Sequence, residues 1–343
     1  MSKVRIGIVG AGRIGKLHAE NLRQFKDVEI RAISDIFADQ ARGWAAQNGI
    51  ERVTEDYRDI LSDPDIDAIL ICSPTDTHVD IIKEAANAGK HIFCEKPISL
   101  DLSKTVQVLQ WVKQAGIKFQ LGFNRRFDHN MSRVNELLKA GKAGELHILK
   151  ITSRDPAAPP ESYIRSSGGL FADMAIHDFD LARFLTGSDV EEVYVQGAVR
   201  VDPVFAECGD IDTAVTTLKF KNGVLGVVVN SRQAHYYDQR VEAFGSAGTI
   251  AIQNDTPSTV EWFSSAGGVR RETPLYFFLE RYKEAYVKEM RCFVDAVLND
   301  EQVPVDVNDG YQAELIAFAA GISLREKRPV LLAEAEARLA QEV

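Results

Sequence analysis

The sequence predicts an α/β protein with two domains: a doubly wound parallel-sheet domain, then an α+β C-terminal domain with a large, mostly antiparallel open sheet. Three observations lead to this prediction. Apolar strand-like runs alternate with helix-like segments over the first third of the chain, and a glycine-rich turn follows the first run. After residue 123, strand-like runs follow one another with hairpin signals between them. A chain of 343 residues is also long enough for two domains.

The elements of the N-terminal domain, residues 1–123, can be assigned in order. Strands are predicted at VRIGIVG, VEIRAISD, DIDAILICS, HIFCEK and KFQLGF, with helices at RIGKLHAENLRQF, ADQARGWAAQNG, HVDIIKEAANAGK and SKTVQVLQWVKQAG. Gly49 is predicted to end its helix as a C-terminal cap. Strands and helices in this rhythm imply right-handed crossovers and a parallel sheet.

The second domain, residues 124–330, is predicted to be rich in hairpins. Strand-like runs are HILKITSRD, EEVYVQGAVRV, DTAVTTLKF, VLGVVVNSRQ, QRVEAFG, TIAIQN and STVEWFSS. Asn-Gly in KNGV is a hairpin signal, and GSAG is interpreted as another. MSRVNELLKAG is a predicted helix near the start of this domain, and two amphipathic helices complete it. The tail, residues 331–343, is interpreted as a solvated helix, with packing on another subunit as the alternative.

Composition excludes several classes of protein. The formal net charge is −10 and basic residues form nothing larger than pairs such as Arg125-Arg126, which argues against nucleic-acid binding. No apolar run approaches the roughly 20 residues that span a bilayer, and no signal peptide is apparent. The four cysteines lack metal-ligand spacing and suit a reducing compartment. We therefore expect a cytoplasmic enzyme or regulator with no metal and no membrane partner.

The turn GAGRIG predicts a dinucleotide site and identifies the first domain as a Rossmann fold. Its glycines have separate functions: Gly10 permits the tight turn, Gly12 lets a pyrophosphate approach, and Gly15 lets the helix pack on the strand. Arg13 and Ile14 open the helix whose N-terminus would face the phosphates. Twenty residues beyond Gly15 comes Asp35, whose carboxylate would accept the ribose hydroxyls and repel a 2′-phosphate, which favours NAD over NADP. Arg31 or Arg42 nearby leaves NADP as the alternative.

Two further loops follow predicted parallel strands, where such sheets bind ligands. One loop is SPTDTH and the other is CEKP, in which Lys96 would approach the nicotinamide. The cofactor residues expected from the turn, from Asp35 and from these loops are Gly10, Gly12, Arg13, Ile14, Gly15, Asp35, Ser73, Pro74, Thr75, His78, Glu95 and Lys96. For His78 we expect packing near the cofactor rather than catalysis.

Polar residues interrupt the otherwise apolar helix GGLFADMAIHDFDLARFL. Asp173, His177 and Asp180 are spaced i, i+4 and i+7, which places them on one stripe of a helix. A polar stripe of this kind suits a polar pocket better than a core, and His177 is its natural general base because its pKa lies near working pH. Two alternatives stay open: a helix-start acid with a satisfied core histidine, or a metal site with Asp180 as third ligand.

The chain resembles the Gfo/Idh/MocA oxidoreductases, named for glucose–fructose oxidoreductase and inositol dehydrogenase. The resemblance covers residues 4–330 and is based on GxGxxG, EKP and GGLFADMAIHDFDLARFL. SPTDTH, GFNRRFD and ITSRDPAAPP look closest to the bacterial inositol 2-dehydrogenases, which oxidise myo-inositol to scyllo-inosose with NAD.

The resemblance implies particular site residues. Lys96 corresponds to the catalytic lysine of the family, and Asp173 and His177 to its conserved acid and histidine. Substrate contacts are expected from these three and from Arg126, Asp155 and Tyr237, with Arg125 and Tyr236 as alternatives. The resemblance also implies a homotetramer formed through the second domain's sheets. The alternatives are the same chemistry on another inositol isomer, an aldose or a glucoside, or a dinucleotide-sensing regulator.

Overall fold

The chain folds into two units that are interleaved in sequence. The computed structural model describes residues 3–342. The first unit contains the residues up to Phe127 together with Glu284–Glu314, and the second contains Asp128–Lys283 and Leu315–Glu342. The division at 1–123, 124–330 and 331–343 remains a prediction about independently folding domains.

The secondary structure agrees closely with the predicted order of elements. The strands are β1 Val4–Val9, β2 Val28–Ser34, β3 Arg52–Thr54, β4 Ala68–Ile71, β5 His91–Cys94, β6 Phe119–Leu121, β7 Leu146–Arg154, β8 Val190–Ala198, β9 Thr213–Phe220, β10 Leu225–Ser231, β11 Asp238–Gly245, β12 Gly248–Ile252, β13 Glu261–Ser264, β14 Gly268–Arg271 and β15 Val330–Leu331. The helices are α1 Arg13–Leu22, α2 Ala38–Gln47, α3 Arg58–Leu61, α4 Thr75–Asn87, α5 Leu102–Ala115, α6 His129–Lys139, α7 Glu161–Ser166, α8 Ile176–Thr186, α9 Val204–Glu207, α10 Phe278–Arg281, α11 Lys283–Asn299, α12 Val307–Glu326 and α13 Leu332–Glu342. Within residues 3–342, no helix combines the length and the apolar character needed to cross a membrane.

The first unit is built on a parallel sheet, as predicted, and its strand order is β3-β2-β1-β4-β5-β6. The short edge strand β3 was not among the predicted strands. Its core contains Ile6, Leu70 and Phe93, all fully buried. Met290 and Phe293 of α11 belong to the same buried cluster. The expectation that both C-terminal helices complete the second domain is therefore wrong for α11, whose apolar face covers the parallel sheet.

The second unit contains a mixed sheet in the order β12-β11-β7-β10-β9-β8-β15. The hairpins β9–β10 and β11–β12 are antiparallel, as KNGV and GSAG predicted, and Gly223 takes a φ of +88° in the first turn. β7 and β10 pair in parallel, which brings together segments about 70 residues apart in sequence. A further antiparallel pair, β13–β14, forms a separate small sheet.

The C-terminal tail is an integrated part of the second unit. Helix α13 lies against β8, and Leu332, Ala335 and Leu339 are buried on one face of it. The interpretation of the tail as a solvated appendage is therefore wrong. The spacing of these three residues gives the helix an apolar stripe that a neighbouring element must cover.

Candidate active site

The glycine turn of the first unit has the geometry of a dinucleotide cradle. Gly10 has a φ of +100°, and a Cβ added there would lie 2.6 Å from the carbonyl of Cys72. A Cβ on Gly15 would lie 2.0 Å from the carbonyl oxygen of Gly10, so helix α1 packs directly on the turn. A Cβ on Gly12 would meet no protein atom within 4 Å, so its side of the turn is open to a ligand.

The same turn presents donors for phosphate. Gly12 is the N-cap of α1 and contributes no side chain to the first N–H groups of the helix. Arg13 and Ile14 form the first turn, with Arg13 exposed. Unpaired N–H groups at a helix start favour an anion. The residues therefore fit a bound dinucleotide.

Asp35 lies beside the glycine turn. Its Oδ2 accepts a hydrogen bond from the Ala11 N–H at 2.7 Å, and its Oδ1 accepts one from the Phe37 N–H at 2.9 Å. These bonds fix the carboxylate at the end of β2, where it would meet a ribose. Arg31 and Arg42, the residues that could favour a 2′-phosphate, are paired with Glu29 and Asp39.

The two loops predicted to bind ligand follow the neighbouring strands β4 and β5. Ser73 and Thr77 hydroxyls lie 2.6 Å apart at the start of α4, where Pro74 is the N-cap and Thr75 the first helical residue. The Glu95 carboxylate pairs with Nε2 of His18 at 2.7 Å, so it faces helix α1. Lys96 is half-buried.

In the second unit, a buried ion cluster surrounds Asp173. Asp173 Oδ2 accepts a hydrogen bond from Arg232 Nη2 at 2.7 Å, and its Oδ1 accepts one from the Tyr163 hydroxyl at 2.8 Å. Arg232 also donates through Nη1 to Asp155 Oδ2 at 3.1 Å. The structure thus joins Asp155 and Asp173, two sequence-predicted site residues, through one guanidinium.

The charges in this cluster hold its members in place. Burial alone would lower the pKa of Arg232, but the carboxylates of Asp173 and Asp155 outweigh it and raise that pKa. Burial, reinforced by Asp173, also raises the pKa of the Tyr163 hydroxyl, which therefore keeps its proton and donates it. Two carboxylates around one guanidinium leave an anionic site.

The helix that carries Asp173 and His177 is irregular at its start. Phe171–Ala175 form a π-helical turn that leads into α8, so Asp173 lies in the π segment and the half-buried His177 in regular helix. Single π-helical turns are frequent at functional sites. The predicted single stripe assumed a regular helix throughout. Asp173 precedes the regular part of that helix, and Asp180 is buried with only 1% exposure.

Strand β10 supplies the polar partners of this helix. Asn230 Nδ2 donates to Oδ2 of the fully buried Asp178 at 2.7 Å, and Arg232, just beyond the strand, donates to Asp173. Residues two apart in an extended chain point to the same side. The unusual acids of an apolar helix are therefore matched by polar groups from the neighbouring strand.

Arg126 and Tyr237 have structural partners of their own. Arg126 makes a bidentate pair with Asp309, at 2.9 and 3.1 Å, and its side chain is 9% exposed. The ring of Tyr237 is buried and packs edge-on against Tyr282, with the centroids 5.8 Å apart. The assignment of either residue to substrate binding remains a prediction.

One cluster elsewhere in the second unit has metal-ligand spacing. Among residues 3–342, Asp128, His129 and Asp255 bring ligand atoms within 4.8 Å of one another. Arg281 already pairs with Asp128 at 2.5 Å and with Asp255 at 3.1 Å. A guanidinium therefore already pairs with both carboxylates on which a cation would depend.

Sequence reasoning missed Arg232 and Tyr163. Arg232 is the penultimate residue of the strand-like run VLGVVVNSRQ, and Asp155 is the last residue of HILKITSRD. Both follow the carboxyl ends of strands that pair in parallel, with the Asp155 N–H bonded to the Ser231 carbonyl at 3.0 Å. The available sequence signal for these residues was a polar residue directly after an apolar strand. The sequence did not show that β7 pairs with β10, and this pairing is what brings the two residues together. Tyr163 gave no sequence signal.

Two family models match the chain. Residues 4–123 match the model described as "Oxidoreductase family, NAD-binding Rossmann fold", and residues 131–251 match the "GFO/IDH/MocA C-terminal domain".

Characterised and uncharacterised relatives extend over nearly the whole chain. The "Uncharacterized oxidoreductase YrbE" of Bacillus subtilis (strain 168) is 53% identical, covering 96% of this chain and 97% of its own. The "Myo-inositol 2-dehydrogenase" of Thermotoga maritima is 47% identical, covering 96% and 99%. The solved scyllo-inositol dehydrogenase from Lactobacillus casei with bound NAD(H) and scyllo-inositol superposes with a TM-score of 0.90 at 34% identity, covering 97% of this chain and all of the other.

The open side of Gly12 leads to a first prediction. Gly12→Ala should fold normally, because its Cβ meets no protein atom, but should bind NAD⁺ at least about tenfold more weakly because the pyrophosphate needs that space. Isothermal titration calorimetry and the thermal midpoint measure the two effects. Gly43→Ala, in the open interior of α2, is the matched control and should leave NAD⁺ affinity unchanged. Equal affinities of Gly12→Ala and wild type would place the pyrophosphate elsewhere.

The buried cluster leads to a second prediction. Arg232→Met should lower the free energy of unfolding by about 3–5 kcal/mol, because it leaves two carboxylates without their cation. Urea denaturation measures this change. Arg133→Met removes an exposed ion pair with Glu136 and should cost no more than about 1 kcal/mol. A similarly small loss for Arg232→Met would show that the cluster is not structurally required.

Proposed function

We propose that this chain, which belongs to the Gfo/Idh/MocA family of oxidoreductases, oxidises myo-inositol to scyllo-inosose. It is an NAD-dependent dehydrogenase acting on a CH–OH group. The observation that carries the proposal is the Asp155–Arg232–Asp173 cluster of the second unit. Within this cluster, Asp173 lies four residues before His177 in the same helical segment. Carboxylates held in fixed positions are suited to accept hydrogen bonds from the hydroxyls of a polyol.

The proposed reaction removes a hydride and a proton from one carbinol group. When bound, NAD⁺ supplies the acceptor for the hydride that leaves the carbon. His177 accepts the hydroxyl proton on a ring nitrogen as general base. Lys96 donates a hydrogen bond to the same oxygen and stabilises the negative charge that develops on it. The products are a ketone, NADH and the protonated imidazole, which then releases its proton to solvent.

Asp173 has a supporting part in this mechanism. Each carboxylate oxygen has two lone pairs, so Asp173 can engage the imidazole or a substrate hydroxyl while bonded to Arg232 and Tyr163. The net negative charge of the cluster stabilises His177 once it is protonated. Arg126, Asp155 and Tyr237 are proposed as further substrate contacts, and of these Asp155 has the best support because Arg232 ties it to Asp173.

The isomer is the finer part of the proposal. The T. maritima relative is named for myo-inositol and the L. casei structure for scyllo-inositol. The higher identity of the first supports myo-inositol for this chain. The same groups would also act on another inositol isomer or an aldose.

We also propose that the enzyme works in the cytoplasm. All four cysteines are free thiols, and Cys94 is buried. Burial raises the pKa of the Cys94 thiol well above its usual range, which makes it unreactive. Free thiols persist in a reducing compartment.

A homotetramer is proposed from the outer face of the mixed sheet. Ile148, Leu225 and Phe244 are direct cross-strand neighbours on β7, β10 and β11, and each is more than 40% exposed. The successive apolar residues of VLGVVV predict a strand covered on both faces, but within this chain only alternate residues of β10 are buried. A second copy would cover the other face.

The function itself is tested by turnover. Purified protein with NAD⁺ should produce NADH with myo-inositol, and less with scyllo-inositol, D-chiro-inositol or D-glucose. Lys96→Met should lower kcat by about 10²–10³-fold through loss of charge stabilisation. His177→Asn should lower it by about 10²–10⁴-fold and abolish the decline of kcat/KM at low pH, where a protonated imidazole cannot accept the proton.

Each result of this assay has a distinct meaning. Turnover of another polyol, without turnover of myo-inositol, would contradict the proposed substrate but would be consistent with the proposed mechanism. NAD⁺ binding without turnover of any polyol would favour a dinucleotide-sensing regulator. Full activity of His177→Asn would exclude His177 as the base.

The tetramer is tested on the exposed sheet face. Leu225→Glu should convert the tetramer to smaller species, because it places a charge in the apolar interface. Sedimentation velocity measures the assembly. Arg133→Glu, at an exposed position of helix α6, is the control and should stay tetrameric. A monomeric wild type would contradict the proposed assembly.

A further inference from the structure

The backbone that follows Lys96 is held at three consecutive residues. We infer that Glu314 and His78 are positioning residues that fix Pro97, Ile98 and Ser99 and thereby place the Lys96 side chain for reaction. This inference rests on the proposed function of Lys96. Neither residue is assigned contact with the reacting atoms.

Glu314, on α12, binds the loop through its backbone amides. Its Oε1 accepts hydrogen bonds from the N–H groups of Ile98 at 2.6 Å and Ser99 at 3.3 Å. Its Oε2 lies 2.5 Å from the Thr105 hydroxyl of α5. The side chain is buried, so water does not compete for these bonds.

Close packing supports this contact independently. A Cβ on Gly310, one helical turn before Glu314, would lie 2.6 Å from the Ile98 side chain and 2.7 Å from that of Leu121. A methyl group at this position would displace the ends of the Ile98 and Leu121 side chains, so glycine lets the start of α12 approach the loop this closely. The helix that carries Glu314 is therefore seated directly on the segment after Lys96.

His78, on α4, binds the same loop from another side. Its Nδ1 lies 2.9 Å from the carbonyl oxygen of Pro97, and its Nε2 lies 2.9 Å from that of Ser73. The ring is buried and thus links the two loops that follow β4 and β5. A neutral imidazole donates to one of these carbonyls, and an imidazolium to both.

Lys96 is also anchored on its other side. The Glu95 N–H donates to the Ile71 carbonyl at 2.9 Å, and the Glu95 carboxylate pairs with His18. The backbone is therefore held before and after Lys96. A long lysine side chain gains precision only if its backbone is fixed, and a misplacement of about 1 Å can reduce a rate by about 10²-fold.

Glutamine is the appropriate conservative substitution at Glu314. Burial raises the pKa of Glu314 to about 7, against the hydrogen bonds from Thr105, Ile98 and Ser99 that lower it. The carboxylate accepts from Ile98 and Ser99 through Oε1 and from the Thr105 hydroxyl through Oε2. Glutamine keeps both contacts, since its oxygen accepts from the two N–H groups and its NH₂ donates to the Thr105 hydroxyl, which can also accept. Leucine has a similar size but removes both interactions.

The experiment compares Glu314→Gln and Glu314→Leu by hydrogen–deuterium exchange of the segment around Ile98 and by steady-state kinetics. In Glu314→Leu, the backbone amides of Ile98 and Ser99 should exchange with deuterium at least about tenfold faster than in the wild type. Its kcat should fall about 10–100-fold, with the KM for NAD⁺ within about twofold, since the loss is in placement. Glu314→Gln should stay near wild type in all three. His78→Phe should lower kcat in the same way.

Lys90→Met is the control for general destabilisation. Lys90 is a buried lysine of the same unit that donates to the carbonyls of Asp63 and Ile66, away from the Lys96 loop. Its loss should lower the thermal midpoint but leave both the exchange of Ile98 and kcat unchanged. An equal fall in kcat for Lys90→Met and Glu314→Leu would reduce Glu314 to a structural residue and overturn the inference.

Failure of the inference is distinguishable from failure of the proposed function. Faster exchange in Glu314→Leu with unchanged kcat overturns the positioning role, while wild-type turnover leaves the function intact. Unchanged exchange overturns the claim that Glu314 holds the loop. A wild type without turnover on any polyol overturns the proposed function and the catalytic part of the inference together.

Discussion

The second unit depends on one electrostatic arrangement, the buried guanidinium of Arg232 between Asp155 and Asp173. A buried charge is tolerated only when it is paired and hydrogen-bonded, so each member of this cluster requires the others. The cluster ties the end of β7, the end of β10 and the start of the helix carrying His177 to one another. Tyr163 adds α7 through its bond to Asp173. The same bonds that stabilise the fold therefore set the position of the groups proposed for catalysis.

The first unit depends on the backbone geometry of its glycine turn. Its glycine turn leaves space on one side and packs tightly on the other, so that Gly12 faces open space while Gly15 touches Gly10. The Asp35 carboxylate, predicted to meet the ribose, also holds the turn by accepting a hydrogen bond from the Ala11 N–H. Helix α11 comes from far along the chain to complete the core, because the apolar face of the parallel sheet near β1 and β5 needs a cover.

Features that depend on interactions between residues close in sequence were predicted correctly, whereas features that depend on contacts between distant segments were missed. The parallel sheet of the first unit, the hairpins at Gly223 and Gly248 and NAD as the cofactor depend on signals within about 20 residues, and these predictions are confirmed. The predictions that the tail is solvated and that α11 belongs to the second domain were wrong. The sequence of an amphipathic helix shows that one face is buried, but it does not show which surface covers that face. Asp173 and His177 stood out as polar residues in an apolar helix, but the π-helical turn beneath Asp173 did not.

The sequence by itself determined most of the elements, their types and the local groups: a glycine turn with the dinucleotide-binding pattern, an acid at the end of the second strand, a lysine at a strand end, and acids in an apolar helix. Only the tertiary structure decided which of these groups meet. Arg232 lies 77 residues from Asp155 and 59 from Asp173, and Glu314 lies 216 residues from Ile98. Such pairs depend on parallel strand pairing and on helix packing. The periodicity of apolar residues does not encode these contacts, because it shows which face of an element is buried but not which other element covers that face.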